Sequence, residues 1–178
     1  WHFKFLLEVQ FGIKFEIISK STKDMVEMLE TRKLDFIVDT LPIDSKKKVT
    51  KITVAKLKNC FAYNKNSMKN VTIETEKDLQ KYPLVLPSVT SSIRFKLDEY
   101  MESKNINLSP TVESWTNEMM VELVKKGIGI GYFIKNLIIS QNDSDNFEII
   151  EFDDNLPDVD ICCVYIDDFL TAASSKFI

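Results

Sequence analysis

Apolar residues in this chain alternate between stripes of helical spacing and short continuous runs, and that alternation predicts its elements. The spacing predicts a helix over 3–9, a strand over 13–18, a helix over 23–31 with Val26 and Leu29 on one stripe, and a strand over 34–38. The run from Leu34 to Val38 is stopped by Asp39-Thr-Leu-Pro42, and a loop with Lys46-Lys-Lys48 follows. Strands near 52–57 and 59–64 come next, then a short helix over 76–81 begun by Thr75 and a strand over 83–86. A helix over 91–104 carries Ile93, Leu97, Tyr100 and Met101 on one stripe. A strand over 110–114, a helix over 117–126, a strand over 129–133 and a helix over 135–140 repeat the order. Strands over 147–152 and 160–166 and a helix from about 169 complete it. Such alternation predicts an α/β fold with mainly parallel sheets.

The sequence strand, helix, strand occurs twice, around 13–38 and 83–133, which predicts two similar lobes. Lys58-Asn-Cys-Phe-Ala-Tyr-Asn64 leads from one to the other and Asp160-Ile-Cys-Cys-Val-Tyr-Ile166 returns, so two strands cross at a hinge. Lobe I is then 1–59 plus 160–178, and lobe II is 60–159.

Composition narrows the function classes. At 178 residues and 44% apolar content the chain can bury a substantial core. A net charge of -4 argues against this segment gripping a nucleic-acid backbone, which needs a basic face. No run approaches the roughly 18 consecutive apolar residues of a membrane span, and no charged-then-apolar leader precedes the fold. Cys60, Cys162 and Cys163 are odd in number, and a strand points the vicinal two to opposite faces, so a reduced, cytoplasmic setting is expected. Cys60 and one of the later two fall on the two crossings, where neighbouring thiols are an open expectation and buried thiols acting as small hydrophobes the simpler one. The chain opens and closes inside helical patterns, as a portion of something longer would.

Enzymatic chemistry finds little footing. The one histidine, His2, sits at a chain end where no positioned base can be relied on. Asp153-Asp154, Asp158, Asp160 and Asp167-Asp168 are turn-like and lack the spacing of a calcium loop, so no metal site and no cofactor are expected. Gly127-Ile-Gly-Ile-Gly131 follows a helix and enters a strand, the reverse of a dinucleotide fingerprint. Gly127 reads as the left-handed residue ending a helix; Gly129 and Gly131 mark either close packing or ligand approach. Ser88, Thr90, Ser91 and Ser92 stand where a strand exits into a helix. Free amides and the helix dipole there favour an anion, and plain capping explains the same residues. Ser19, Ser21 and Thr22 stand in the same relation to the helix over 23–31. Two such mouths, one per lobe, can hold a ligand without catalytic groups. Trp115-Thr-Asn117, at a third strand exit, offers either a wall for that ligand or a core tryptophan.

Several of these stretches recur together in a known order. Met25 to Glu30, Lys33-Leu-Asp-Phe-Ile-Val38, Tyr82-Pro-Leu-Val85, Ser91-Ser-Ile-Arg94, Val124-Lys-Lys-Gly-Ile-Gly-Ile-Gly131 and Leu170-Thr-Ala-Ala-Ser-Ser-Lys-Phe-Ile178 resemble the landmarks of the effector-binding domain of LysR-type transcriptional regulators. The resemblance runs from Phe3 to Ile178 and lacks the family's first strand and the turn after it, so weak or absent effector binding is an expectation for this chain. It implies a two-lobed periplasmic-binding-protein-like (type 2) fold, a small and anionic effector in the interlobe cleft, no enzymatic activity, and a winged helix-turn-helix in the parent that contacts DNA. By the same resemblance Ser19 matches an effector-contacting hydroxyl, Thr40, Leu41 and Pro42 the lip of the cleft, and Ser88 to Ser92 the second-lobe mouth. Ile130, Gly131 and Tyr132 match a cleft-lining strand, while Trp115 and Thr116 stay candidates from their place at the third strand exit. The family also implies a homodimer or homotetramer, effector domains side by side, with Phe3, Phe5 and Leu6 of one copy on Phe95 and Tyr100 of the next. Its redox-sensing members place a cysteine pair in the second lobe; the absence of cysteine between Phe61 and Ile161 does not support that mechanism here. A solute-binding protein of a transporter shares the fold and is the alternative.

Overall fold

A computed structural model describes residues 16–18, 20–40 and 43–177, with the backbone alone for Lys176 and Phe177. The helix over 3–9, the first half of the strand over 13–18, and Phe3, Phe5, Leu6, Ser19, Leu41 and Pro42 lie outside the described residues. The chain divides into two compact units, 1–54 with 162–178, and 55–161. It passes between them within strands.

The first unit holds α1 (Thr22–Glu30), β1 (Phe36–Thr40), most of β2 (Thr50–Leu57) and most of β8 (Val159–Tyr165), in a three-stranded sheet ordered β1-β8-β2. Val26 and Leu29 of α1 bury against Ile37, Ile43, Cys162, Val164 and Ile166, the stripe that the sequence predicts. Ser21 caps α1 by accepting from the Asp24 amide at 3.2 Å. The helix ends on Arg32, whose φ of 61° lets the Lys33 amide reach back to the Met28 carbonyl at 2.8 Å. The Arg32 guanidinium lies 4.0 Å from the centre of the Phe169 ring, a cation–π contact that offsets part of the left-handed strain. The C-terminal helix expected from about 169 is instead a 3-10 turn over Asp167–Phe169 and a short α5 (Ser174–Phe177). Thr171 accepts from the Ser174 amide at 3.1 Å and so delays the helix start.

The second unit is built on a five-stranded sheet. Its strands are β3 (Asn59–Asn64), β4 (Leu84–Pro87), β5 (Val112–Ser114), β6 (Ile130–Ile134) and β7 (Phe147–Ile150), in the order β5-β4-β6-β3-β7. The sheet is mixed rather than mainly parallel: β5, β4 and β6 run parallel, while β3 is antiparallel to both β6 and β7. The parallel members are those joined through α2 (Ser92–Ser103) and α3 (Asn117–Lys125), as crossovers require. The stretch 76–81 is a 3-10 helix, and α4 (Lys135–Ile139) follows β6 directly. One face packs Leu97 and Met101 of α2 against Phe61, Leu86, Ile130 and Tyr132. The other packs Met120, Val121 and Val124 of α3 with Ile138 of α4 against Ala62, Val85 and Phe133. Gly127 ends α3 at φ 75°; its amide reaches the Val124 carbonyl at 2.9 Å and the Ile128 amide reaches Leu123 at 3.1 Å. Gly131 has another reason: a Cβ there would run into the Phe133 ring and Val124.

Candidate functional site

The mouth at the end of β4 follows from strand geometry. All four residues of β4 are buried, and Pro87 ends the strand by offering no amide. The Ser88 amide prolongs the pairing to the Ser114 carbonyl at 2.9 Å; the Ser91 amide then donates to Ser88 O, and the Phe95 amide to Ser91 O, each at 2.9 Å. Ser91 is the extended N-cap of α2, φ -78° and ψ 134°, yet its hydroxyl makes no capping bond. Ser88 is buried, with its Oγ 3.4 Å from Thr90 Oγ1; Thr90 is exposed and Ser91 and Ser92 are half-buried. A twelve-residue helix thus begins beneath a group of hydroxyls, and its first-turn amides point where its dipole is positive.

Arg94 stands in that first turn, and its guanidinium is turned inward. Its Nε donates to both carboxylate oxygens of Asp98, at 2.8 and 3.0 Å, and one terminal nitrogen donates to Pro87 O at 3.1 Å and Glu113 Oε1 at 3.2 Å. The side chain clamps α2 to the ends of β4 and β5. Hydroxyls and amides, rather than this cation, face the mouth.

At the next strand exit the hydroxyls bond locally. Ser114 is buried, donating to Thr116 O at 3.1 Å and accepting the Thr116 amide at 3.2 Å. Thr116 caps α3 by accepting from the Met119 amide at 3.3 Å. Trp115 is 80% exposed, so of its two readings the core one is overturned. The Ser88 to Ser114 bond places Trp115 beside the α2 mouth. Ile130 and Gly131 are buried in the sheet, Ile130 in the core cluster beneath α2 and Gly131 under the Phe133 ring.

In the first unit Thr40 ends β1, half-buried, and its amide donates to Asp39 Oδ1 at 2.7 Å. The other oxygen of Asp39 accepts from Thr22 Oγ1 at 2.6 Å, and Ser21 is engaged with Asp24, so the hydroxyls described at the start of α1 are used in capping and tethering. Phe95 is 50% exposed on α2. Tyr100 donates to buried Glu76 at 2.7 Å and carries Lys104 over its ring.

All three cysteines are buried free thiols; Cys60 packs in the core of the second unit and Cys162 in that of the first. Burial pushes the Cys60 thiol up to about 12, against the pull of Lys135 nearby. Burial also raises Tyr132, against the hydrogen-bonding pull of the Asn59 side chain buried beside it. The signal for these was a polar residue opening the apolar run Asn59 to Asn64, and sequence reasoning passed over it. Among the described residues no group of three metal-ligating side chains converges, and no helix is long and apolar enough to cross a membrane.

The family model for the LysR substrate binding domain matches residues 6–178. The regulatory domain of CcmR from Synechocystis PCC6803, solved in complex with 2-PG, superposes with a TM-score of 0.81 at 10% identity, covering 97% of this chain and 83% of that one. The effector binding domain of QuiR in complex with shikimate gives 0.80 at 18% identity, over 98% and 84% of the two chains. CbnR, a LysR family transcriptional regulator, gives 0.79 at 10% identity, and the match spans 98% of this chain but 61% of CbnR. No curated protein matches. Likeness at these identities speaks for the fold, the two-lobed type 2 periplasmic-binding-like arrangement.

Proposed function

Because this chain belongs to the LysR substrate-binding domain family, we propose that it is the effector-sensing domain of a DNA-binding transcription regulator and that its second unit takes an anionic group of the effector at the α2 mouth. The observation that carries the site is the N-terminus of α2, where the Ser91 hydroxyl makes no capping bond and Ser88, Thr90 and Ser92 surround the first turn. Thr116 and exposed Trp115 supply a rim, and Ile130 and Gly131 lie in the sheet beneath. Ser19, Thr40, Leu41 and Pro42 are the first-unit contacts that the family pattern supports. A regulatory role fits a site of hydroxyls and amides without nucleophile or base. The family match favours this reading over a transporter's solute-binding protein. DNA contact belongs to a helix-turn-helix elsewhere in the parent, and the net charge of -4 on this segment agrees.

A thermal-shift and calorimetric screen of small carboxylates, shikimate and benzoate among them, tests the proposal. Thr90→Ala with Ser91→Ala should weaken any carboxylate that binds by about tenfold, some 1.4 kcal/mol, while leaving the unfolding midpoint nearly in place. Unchanged affinity would move the site away from α2. Side-by-side dimerisation through Phe95 and Tyr100 of α2, opposite Phe3, Phe5 and Leu6, is part of the same proposal. Half-exposed Phe95 supports it, and Phe95→Glu should shift the sedimenting species toward monomer.

A further inference from the structure

The stretch 151–158 joins β7 to β8, the strand that leaves the second unit, and side chains from α2, α4 and β3 fasten it. Near its start Lys135 pairs with Glu151 at 2.9 Å. In its middle Lys104, the C-cap of α2, pairs with Asp154 at 2.8 Å, and the Phe152 ring meets Phe61 edge-on with centroids 6.2 Å apart. Further on, Asn59 Nδ2 donates to Pro157 O at 2.8 Å. The last fastening is the longest. Lys96 Nζ donates to Asp158 O at 3.2 Å and stands 3.7 Å from one carboxylate oxygen of Asp160, whose other oxygen is 3.7 Å from Lys56.

Lys96 also belongs to the helix that opens at the hydroxyl-lined mouth. It follows Ser92, the first residue of α2, by four positions and so stands on the same face one turn along. Helical side chains lean toward the N-terminus, and α2 rises about 6 Å over those four residues, a span that a lysine's four-carbon stem covers. Arg94, the other cation within α2, is engaged with Asp98, Pro87 and Glu113. The Lys96 and Asp160 side chains are 24% and 29% exposed, and Asp160 retains Lys56, so parting them strands no buried charge.

With the α2 mouth taken as the effector site, on which this inference rests, we propose that Lys96 is shared between two anionic partners, the entrance of β8 and the effector's carboxylate. A carboxylate at the mouth draws the ammonium off Asp158 O and Asp160. The start of β8 then loosens while the shorter fastenings hold the rest of the stretch. Asp160 thereby competes with the effector, and occupancy of the mouth is registered in the strand that leaves the second unit.

Amide NMR of the isotope-labelled chain, titrated with sodium phosphate against sodium chloride of equal ionic strength, tests this. Phosphate should shift the amides of Ser88 to Ser92 together with those of Asp158 to Ile161, and chloride should not reproduce the second set. Lys96→Met should keep the shifts at the mouth, lose those at Asp158 to Ile161 and raise the half-saturating phosphate concentration about threefold, whereas Lys96→Arg should keep both sets. Asp160→Asn should lower that concentration about threefold, because the competitor is weakened. Asp153→Asn, the same change of charge at a side chain without an ion-pair partner among the described residues, should not. The shared lysine is refuted if Asp158 to Ile161 stay in place while the mouth responds, if they follow phosphate in Lys96→Met as in the parent, if chloride moves them equally, or if Asp160→Asn binds no tighter than Asp153→Asn. Absence of any shift at Ser88 to Ser92 removes the mouth itself, and the inference with it.

Discussion

Arg94→Met replaces a guanidinium of nearly full burial, 5% exposed, with an apolar chain of similar reach. Its partners set the magnitude. The Asp98 and Glu113 side chains are 40% and 38% exposed, so water can take over much of what Arg94 gave them, and each pair is worth about 0–1 kcal/mol. The bond to the Pro87 carbonyl is buried, and an acceptor left without its donor costs about 1–3 kcal/mol. The sum is a loss of about 1–5 kcal/mol, which urea unfolding followed by far-ultraviolet circular dichroism reads directly. Arg94→Lys should fall between, because a single ammonium cannot fork to Asp98 and reach Pro87 together. Effector affinity of the folded fraction should change little, since the guanidinium is turned away from the mouth. A variant within about 0.5 kcal/mol of the parent would refute the clamp, a change no larger than an ordinary surface substitution makes. Lost affinity at full stability would make Arg94 an effector contact instead.

Two further outcomes follow from packing and burial. Gly131→Ala should destabilise by about 1–3 kcal/mol, because the added methyl meets the Phe133 ring and Val124 in a filled core; a parent-like urea midpoint would show that the ring can move aside. The Cys60 thiol, raised to about 12 by burial, should resist an aromatic disulfide reagent near neutral pH until denaturant is added. Its unfolded form ionises first, so the stability tied to the neutral thiol is whole below the ordinary thiol range near 8.5 and fades as pH rises toward the folded value. A Cys60→Ala variant should therefore lose less stability than the parent above about pH 8.5, and prompt labelling of native Cys60 would contradict its burial.

Much of the fold was legible because helical stripes and apolar runs report burial directly. Val26 with Leu29, and Leu97 with Met101, bury as their spacing requires, and Gly127 ends its helix in the left-handed region that its position implied. Strand direction was less legible. An apolar run such as Cys60 to Ala62 is equally suited to parallel and antiparallel pairing, and its antiparallel place beside Gly131 to Phe133 depends on contacts distant in sequence. At the site, a row of hydroxyls carries no mark of which one caps. Thr116 bonds the amide three residues on, whereas Ser91, in the same role before α2, does not. The inward turn of Arg94 left no mark in the sequence, because its Glu113 partner belongs to a different strand.

The order β1-β8-β2 has a consequence for biogenesis. The middle strand of the first unit's sheet is synthesised after both of its neighbours, whereas residues 55–161 of the second unit form one uninterrupted segment. On a ribosome the later segment has everything it needs to fold while the earlier one still waits for its centre. A nascent chain halted before Val159 therefore leaves β1 and β2 without the partner that lies between them.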